Sequence, residues 1–346
     1  METPKSLGYR MPAEWEKHEA TWAVFPHNEN TWPGDDGKRF QRVQESYAEM
    51  IAHVSSGEKV QLLVQNDKIK NIVEKLIFHH PSAKKENIIF HKIPTMDSWM
   101  RDSGPTFVVN RKEKKLAMVH WIFNAWGMKY EEEGLFKDTI IPKKMNEILK
   151  IRSFEPGIVM EGGSIEVNGR DTVLVTEQCQ LNKNRNPNLT KEQIEKFLRD
   201  YLNVEKVVWL GEGIEGDDTD GHIDDLVRFV NENTVLCCMP DREDEFNYPI
   251  MEENKKRLIK VGLKVVDLPM PGHLVIEGRR IPASYANFYI SNAAVVVPIF
   301  NVPNDKKALD IIQKFFPDRK VVGIYATDTV FGFGTWHCLT QQQPTV

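Results

Sequence analysis

Glu161-Gly162-Gly163-Ser164-Ile165-Glu166-Val167-Asn168-Gly169, followed by Thr172-Val173-Leu174-Val175, carries the pattern that decides the fold. A polar entrance leads into a short apolar strand, an Asn-Gly turn and a second apolar strand. Asn-Gly tolerates the positive φ angles that a tight hairpin needs. Downstream, Ile194, Phe197, Leu198 and Tyr201 recur at helical spacing, which predicts a helix over 191–202. Thr190, three residues before Gln193, reads as its N-cap with a capping box. Residues 204–210 are apolar again and predict a third strand.

The same plan recurs on either side of this unit. Arg101-Asp102-Ser103-Gly104-Pro105 leads into strands at 106–109 and 116–123, and Gly221-His222-Ile223-Asp224 into strands at 226–230 and 234–238. Ala286-Asn287 leads into 288–291 and 293–297, and Gly334-Thr335-Trp336-His337-Cys338 ends the series. Further helices are predicted at 39–54, 68–78, 143–151, 252–261 and 306–315, with following strands at 60–64, 88–93, 263–268 and 321–324. Asp102, Glu161, His222, Asn287 and Cys338 stand roughly 60 residues apart, a period that marks repeat architectures. A length of 346 residues allows two domains or one built of repeats. The repeat selects a single α/β domain over 1–346, whose five hairpin–helix–strand units can close in a ring with their polar entrances facing one centre.

The formal charge of −5 gives no basic face for a nucleic acid and suits a cationic ligand. Four cysteines in a chain this long are not a disulfide framework, and Cys237-Cys238 lie in an apolar run as core thiols. Without a Cys-x-x-Cys pair, no structural zinc site is expected. The polar opening segment is not a secretory signal, and no run is long enough to span a bilayer. A reducing, cytoplasmic setting is expected, with no membrane partner.

Cys338 is the sharpest candidate for chemistry, because its flanking glycines let backbone approach a ligand closely. A buried structural thiol is the bland alternative. His337 is read as strand-adjacent to Cys338, therefore pointing to the opposite face and satisfied structurally. His222 and Asp224, at i and i+2 of a predicted strand, address one site, and histidine moves a proton near neutral pH. The acidic set Asp217, Asp218, Asp220, Asp224 and Asp225 reads as a solvated loop or an oxygen-ligand metal site, but lacks a calcium-loop pattern. Asp102 beside Arg101 reads as an ion pair or a site carboxylate, and Trp99 can wall off a cationic chain.

Four motifs taken together resemble the agmatine deiminases, which belong with the bacterial-type peptidyl-arginine deiminases among the guanidine-modifying enzymes. They are Asp-Ser-Trp-Met-Arg-Asp-Ser-Gly-Pro at 97–105, Glu-Gly-Gly-Ser-Ile-Glu-Val-Asn-Gly at 161–169, Asp-Thr-Asp-Gly-His-Ile-Asp at 218–224 and His-Cys-Leu-Thr-Gln-Gln-Gln-Pro at 337–344. The resemblance implies a five-bladed α/β propeller, the pentein fold. It implies Cys338 as nucleophile, His222 as proton carrier, and Glu161 and Asp224 as carboxylates gripping the guanidinium. Trp99, Asp102, Asp218 and Asn287 make up its substrate-binding set. It implies no metal, no cofactor and a homo-oligomer. Two departures touch this region: Gly-Phe-Gly-Thr-Trp-His precedes Cys338 where the family has a glycine run and Asn-Ile-His, and Ile-Asp-Asp follows His222 in place of Val-Asp-Asn. The expected reaction is deimination of agmatine to N-carbamoylputrescine and ammonia for putrescine and polyamine synthesis; the alternative is a deiminase of free or peptidyl arginine giving citrulline.

Overall fold

In the computed structural model, which describes residues 2–241 and 246–346, the quoted stretch forms a hairpin of Glu166–Val167 and Thr172–Thr176. Its turn is held by Asn168 Oδ1, which accepts the backbone N–H groups of Arg170, Asp171 and Thr172. Gly169 adopts φ +71°, and a Cβ there would lie 2.5 Å from the Ala13 nitrogen. The helix Lys191–Leu202 begins at Thr190 with the full capping box and buries Ile194, Leu198, Tyr201 and Leu202. Burial of each aliphatic side chain there contributes about 1.5–3 kcal/mol. The chain then returns in Lys206–Leu210, parallel to Thr172–Thr176. Two parallel strands need such a crossover, and an amphipathic helix supplies it.

Three further units repeat the arrangement of an antiparallel pair, a helix and a parallel third strand. The first joins Thr106–Asn110, Lys115–Val119, helix Ile141–Leu149 and Arg152–Phe154. The third joins Val227–Asn231, Thr234–Met239, helix Asn247–Lys260 and Lys264–Pro269. The fourth joins Tyr289–Ile290, Ala294–Ile299, helix Asn304–Gln313 and Lys320–Tyr325. The fifth is assembled from sequence-distant segments. Thr340–Pro344 pairs antiparallel with His18–Val24, which continues through helix Lys38–Ser55, Lys59–Val64, helix Asp67–Phe78 and Ile88–Lys92. The protein is thus α/β with separate mixed sheets, and among the described residues no sheet closes on itself. No described helix is long and apolar enough to cross a membrane.

Two local expectations are corrected. Ile223–Asp225 is a 3₁₀ turn, not a strand, because Asp217 Oδ2 captures the N–H groups of Gly221 and His222 and holds the loop short of the sheet. Cys338 also lies in a turn, with Leu339 N donating to Thr335 O and Thr340 N to His337 O, so strand alternation does not govern where His337 points.

Candidate active site

The hairpin entrances converge. A Cβ placed on Gly163 would lie 2.6 Å from His222 Nδ1, 2.9 Å from Asp102 Oδ1 and 3.1 Å from Asp224 Oδ2. Glycine is therefore required at the one point around which three of the predicted site residues gather. Gly334 does the same for the thiol: its Cβ would meet Trp99 at 2.6 Å and Cys338 Sγ at 3.1 Å. Cys338 Sγ lies 3.5 Å from Asp224 Oδ2 and accepts from Asn287 Nδ2 at 3.0 Å. Asn287 thus comes to rest on the sulfur. Its Oδ1 accepts from the Thr335 hydroxyl and backbone N–H and, at 3.4 Å, from Cys338 N.

Above this floor opens a cavity of ≈ 180 Å³, lined by Trp99, Asp102, Trp126, Asp218, Phe333 and Cys338 among others. Glu161, His222 and Asp224 lie behind it, each at most 1% exposed. Burial holds Asp218 and Asp97, both on the cavity wall, up at about 6. The Tyr130 hydroxyl donates to Asp218. Trp126 Nε1 donates to Asp102 Oδ2 at 2.9 Å. To aim that indole, Ala125, Trp126 and Met128 all take left-handed backbone conformations. Each costs roughly 1–2 kcal/mol in a non-glycine residue.

The polar floor is half satisfied. Glu161 accepts from Arg185 Nε at 2.6 Å through Oε1, and Asp224 from His337 Nδ1 at 2.7 Å through Oδ2. Among the described residues, Glu161 Oε2, Asp224 Oδ1 and both ring nitrogens of His222 have no hydrogen-bond partner. Buried polar atoms are nearly always paired, so these four, gathered behind the cavity, are free to take the hydrogen bonds of a ligand. Each carboxylate offers one free oxygen.

Burial, and next the carboxylates of Asp224, Asp225 and Asp102, hold the Cys338 thiol well above its ordinary range. Burial would push His222 down. Asp102, at 3.8 Å from Nδ1, outweighs it together with the Cys179 thiol and Glu161, and the imidazole is held well above its ordinary value. The resting pair is thus thiol and imidazolium. Burial, then neighbouring Asp224 and Asp217, push Asp225 far up, and its Oδ1 accepts from Asn287 Nδ2 at 3.0 Å. It stands where the family more often has the neutral amide of Asn.

Other expectations resolve residue by residue. Arg101 faces away from the cavity, donating to Gln342, Glu14 and the His337 carbonyl, and does not pair with Asp102. His337 is satisfied on both sides, by Asp224 and by Glu14 at 2.9 Å. The acidic loop is not a solvated face: Asp217 braces the turn, Asp220 pairs with Lys129 and Arg185, and Asp224 and Asp225 are buried. Sequence reasoning missed Glu14, Trp126, Tyr130, Cys179, Arg185 and Arg279. A hint of Arg185 lay in the Asn-Arg-Asn-Pro stretch at 184–187, a polar break between strand and helix. Of the departures before Cys338, only Phe333 reaches the cavity, where Arg279 lies 3.6 Å from its ring centroid. Thr335 and Trp336 are buried behind the thiol.

Residues 10–344 match the family described as Porphyromonas-type peptidyl-arginine deiminase. A relative from Latilactobacillus sakei, provisionally named an agmatine deiminase, is 38% identical over 371 residues, covering 99% of this chain and 98% of its own. The solved agmatine deiminase of Enterococcus faecalis superposes with a TM-score of 0.88 at 35% identity, over 100% of this chain and 98% of that one. A Cys-to-Ser agmatine deiminase from C. jejuni, solved with substrate bound, gives 0.87 at 30% identity, over 97% and 96% of the two chains.

Proposed function

The chain belongs to the Porphyromonas-type peptidyl-arginine deiminase family, and from that premise we propose that it hydrolyses agmatine to N-carbamoylputrescine and ammonia through an amidino-cysteine. The observation that carries this reading is the pair of free acceptors, Glu161 Oε2 and Asp224 Oδ1, behind the cavity that Cys338 lines, with Asp224 Oδ2 at 3.5 Å from the sulfur. A guanidinium is a planar donor with one positive charge. It can give one hydrogen bond to Glu161 Oε2 and one to Asp224 Oδ1, satisfying both while its carbon lies over the sulfur.

The cation also removes the reason the thiol is protonated, because it offsets Asp224 and Asp102. As the cation binds, the thiol loses its proton to solvent, and the Cys338 thiolate adds to the guanidinium carbon. His222 imidazolium gives its proton to one unsubstituted nitrogen, the C–N bond breaks, and ammonia leaves. The carbon remains bonded to sulfur as an amidino group. Neutral His222 then takes a proton from water as the oxygen adds to the carbon. Collapse breaks the C–S bond, the hydroxyl proton passes to the departing sulfur and restores the thiol, and N-carbamoylputrescine is released, a precursor suited to putrescine and polyamine synthesis. Trp99 and Asp102 flank the guanidinium, Asp218 faces the amine end, and Asn287 holds the sulfur in line. No cofactor is assigned to these steps.

We read the five units as blades of a single pentein propeller. The reading is supported by the meeting of Asp102, Glu161, His222, Asn287 and Cys338, one entrance from each unit. Four free cysteines favour a cytoplasmic enzyme, and the family makes a homo-oligomer the expected state.

Arg279 favours a second reading. Its guanidinium lines the cavity over Phe333, where it can meet a carboxylate. Ammonia release measured on agmatine, free arginine and a blocked arginine peptide decides between them. The proposal expects agmatine to have the highest kcat/KM and Arg279→Gln to leave that preference in place. Preference for arginine, lost in Arg279→Gln, would replace it.

A further inference from the structure

Behind the cavity floor lies a second thiol that the reaction does not use. Cys179 sits on the short helix Glu177–Gln180, its backbone N–H bound by the Thr176 hydroxyl at 3.2 Å. Its sulfur, a carboxylate oxygen of Glu161 and a ring nitrogen of His222 all lie within 4.8 Å of one another, and all three residues are buried. Glu161 Oε2 and both His222 nitrogens lack hydrogen-bond partners among the described residues. Thiolate, imidazole and carboxylate together are the donor set of a three-ligand zinc site with one open position. Around a tetrahedral ion with such ligands the donor atoms stand about 3.3–3.6 Å apart, so small side-chain shifts within 4.8 Å close the site. Asp102, at 3.8 Å from His222 Nδ1, stands close enough to become, after a small shift, the outer carboxylate that usually orients a metal-binding histidine.

We propose that Glu161, Cys179 and His222 form an inhibitory site for one borderline-soft divalent cation such as Zn²⁺, separate from the nucleophile Cys338. Binding releases the protons of Cys179 and His222 to solvent and makes one bond to each residue. Arg185, bound to the other oxygen of Glu161 at 2.6 Å, opposes the added charge and keeps occupation reversible. The ion consumes the free oxygen of Glu161 and a nitrogen of His222, so metal and guanidinium exclude one another. The site itself does not rest on the proposed reaction; only its inhibitory consequence does.

The test titrates the metal-free full-length chain with Co²⁺ alone, following thiolate-to-metal charge-transfer absorption, and separately with Zn²⁺ in the ammonia assay. One equivalent should give the absorption band in the wild type and in Cys338→Ser. The band should vanish in Cys179→Ser and Cys179→Ala, and in His222→Ala made on the Cys338→Ser background. Zn²⁺ should compete with agmatine, be reversed by a chelator, and inhibit Cys179→Ser at least about 10–100-fold more weakly. No band in the wild type, or one that survives Cys179→Ser and disappears in Cys338→Ser, overturns the site. A band without inhibition overturns its inhibitory role. Absent agmatine turnover with the band intact defeats the proposed reaction and leaves the metal site standing.

Discussion

Asp224 divides the buried polar centre into two halves that handle charge in opposite ways. On the His337 side everything is paired. Glu14 binds Arg228 and Ile290 N through Oε1, and Arg101 and His337 through Oε2, while Glu166 takes Arg228 Nε and Phe229 N. Although burial alone would raise it, the Arg228, His337 and Arg101 charges hold Glu14 well below the ordinary carboxylate range. On the Cys338 side, Glu161, His222 and Asp224 keep orphaned atoms. Both halves are buried, so burial does not separate them. A satisfied buried network fixes the blades of the fold to one another, whereas an unsatisfied one stores a demand for hydrogen bonds that only a ligand meets.

The contrast can be broken from either side. The largest expected effect is Cys338→Ala, which should lower ammonia release on the order of 10⁶-fold while leaving the urea unfolding curve in place. Substantial residual turnover would remove Cys338 from the reaction. His222→Ala should cost about 10²–10⁴-fold in kcat, read by steady-state kinetics, again without a loss of folding. On the paired side the outcome should reverse. Glu14→Ala strands Arg228, Arg101 and His337 and should destabilise the fold by about 3–5 kcal/mol, measured by chemical denaturation. A stable Glu14→Ala protein with abolished activity would show that the two halves are not divided as described.

The smallest effect concerns the cavity wall. Asp218, held at about 6, is ionised above that pH and neutral below it. Its attraction for a cationic amine is therefore present at neutral pH and lost as pH falls through about 6. KM for agmatine should rise across that window with kcat less affected. Asp218→Asn should raise KM about tenfold at pH 7 and flatten the acid limb. A KM–pH profile unchanged in that variant would assign the limb to another group, with Asp97 the neighbour to try next.

Much of this is legible in the amino-acid sequence. The helix Lys191–Leu202 and its capping box follow from local chemistry, and the five hairpin entrances from their spacing. The short entrances themselves were not legible as 3₁₀ turns, because what bends Ile223–Asp225 is a side chain, Asp217, competing for backbone N–H groups. Strand His18–Val24 was invisible for another reason: its partner lies at Thr340–Pro344, beyond the reach of any local pattern. Glu14 carries no signal of its own within the polar opening segment. Its bond to Arg228 spans 214 positions, and neither residue signals the other along the chain. The convergence of His222 and Asp224 was anticipated, though they meet through a turn and not through strand alternation.

That antiparallel pairing of Thr340–Pro344 with His18–Val24 sets the order of events during synthesis. Residues 18–92 leave the ribosome early, yet their sheet waits with an open edge until the segment through Pro344 has emerged. Cys338 lies two residues before that strand, so its sulfur arrives together with the segment that covers this edge. A nascent chain therefore holds Asp102, Glu161, His222 and Asp224 before it holds the Cys338 sulfur that they are to surround.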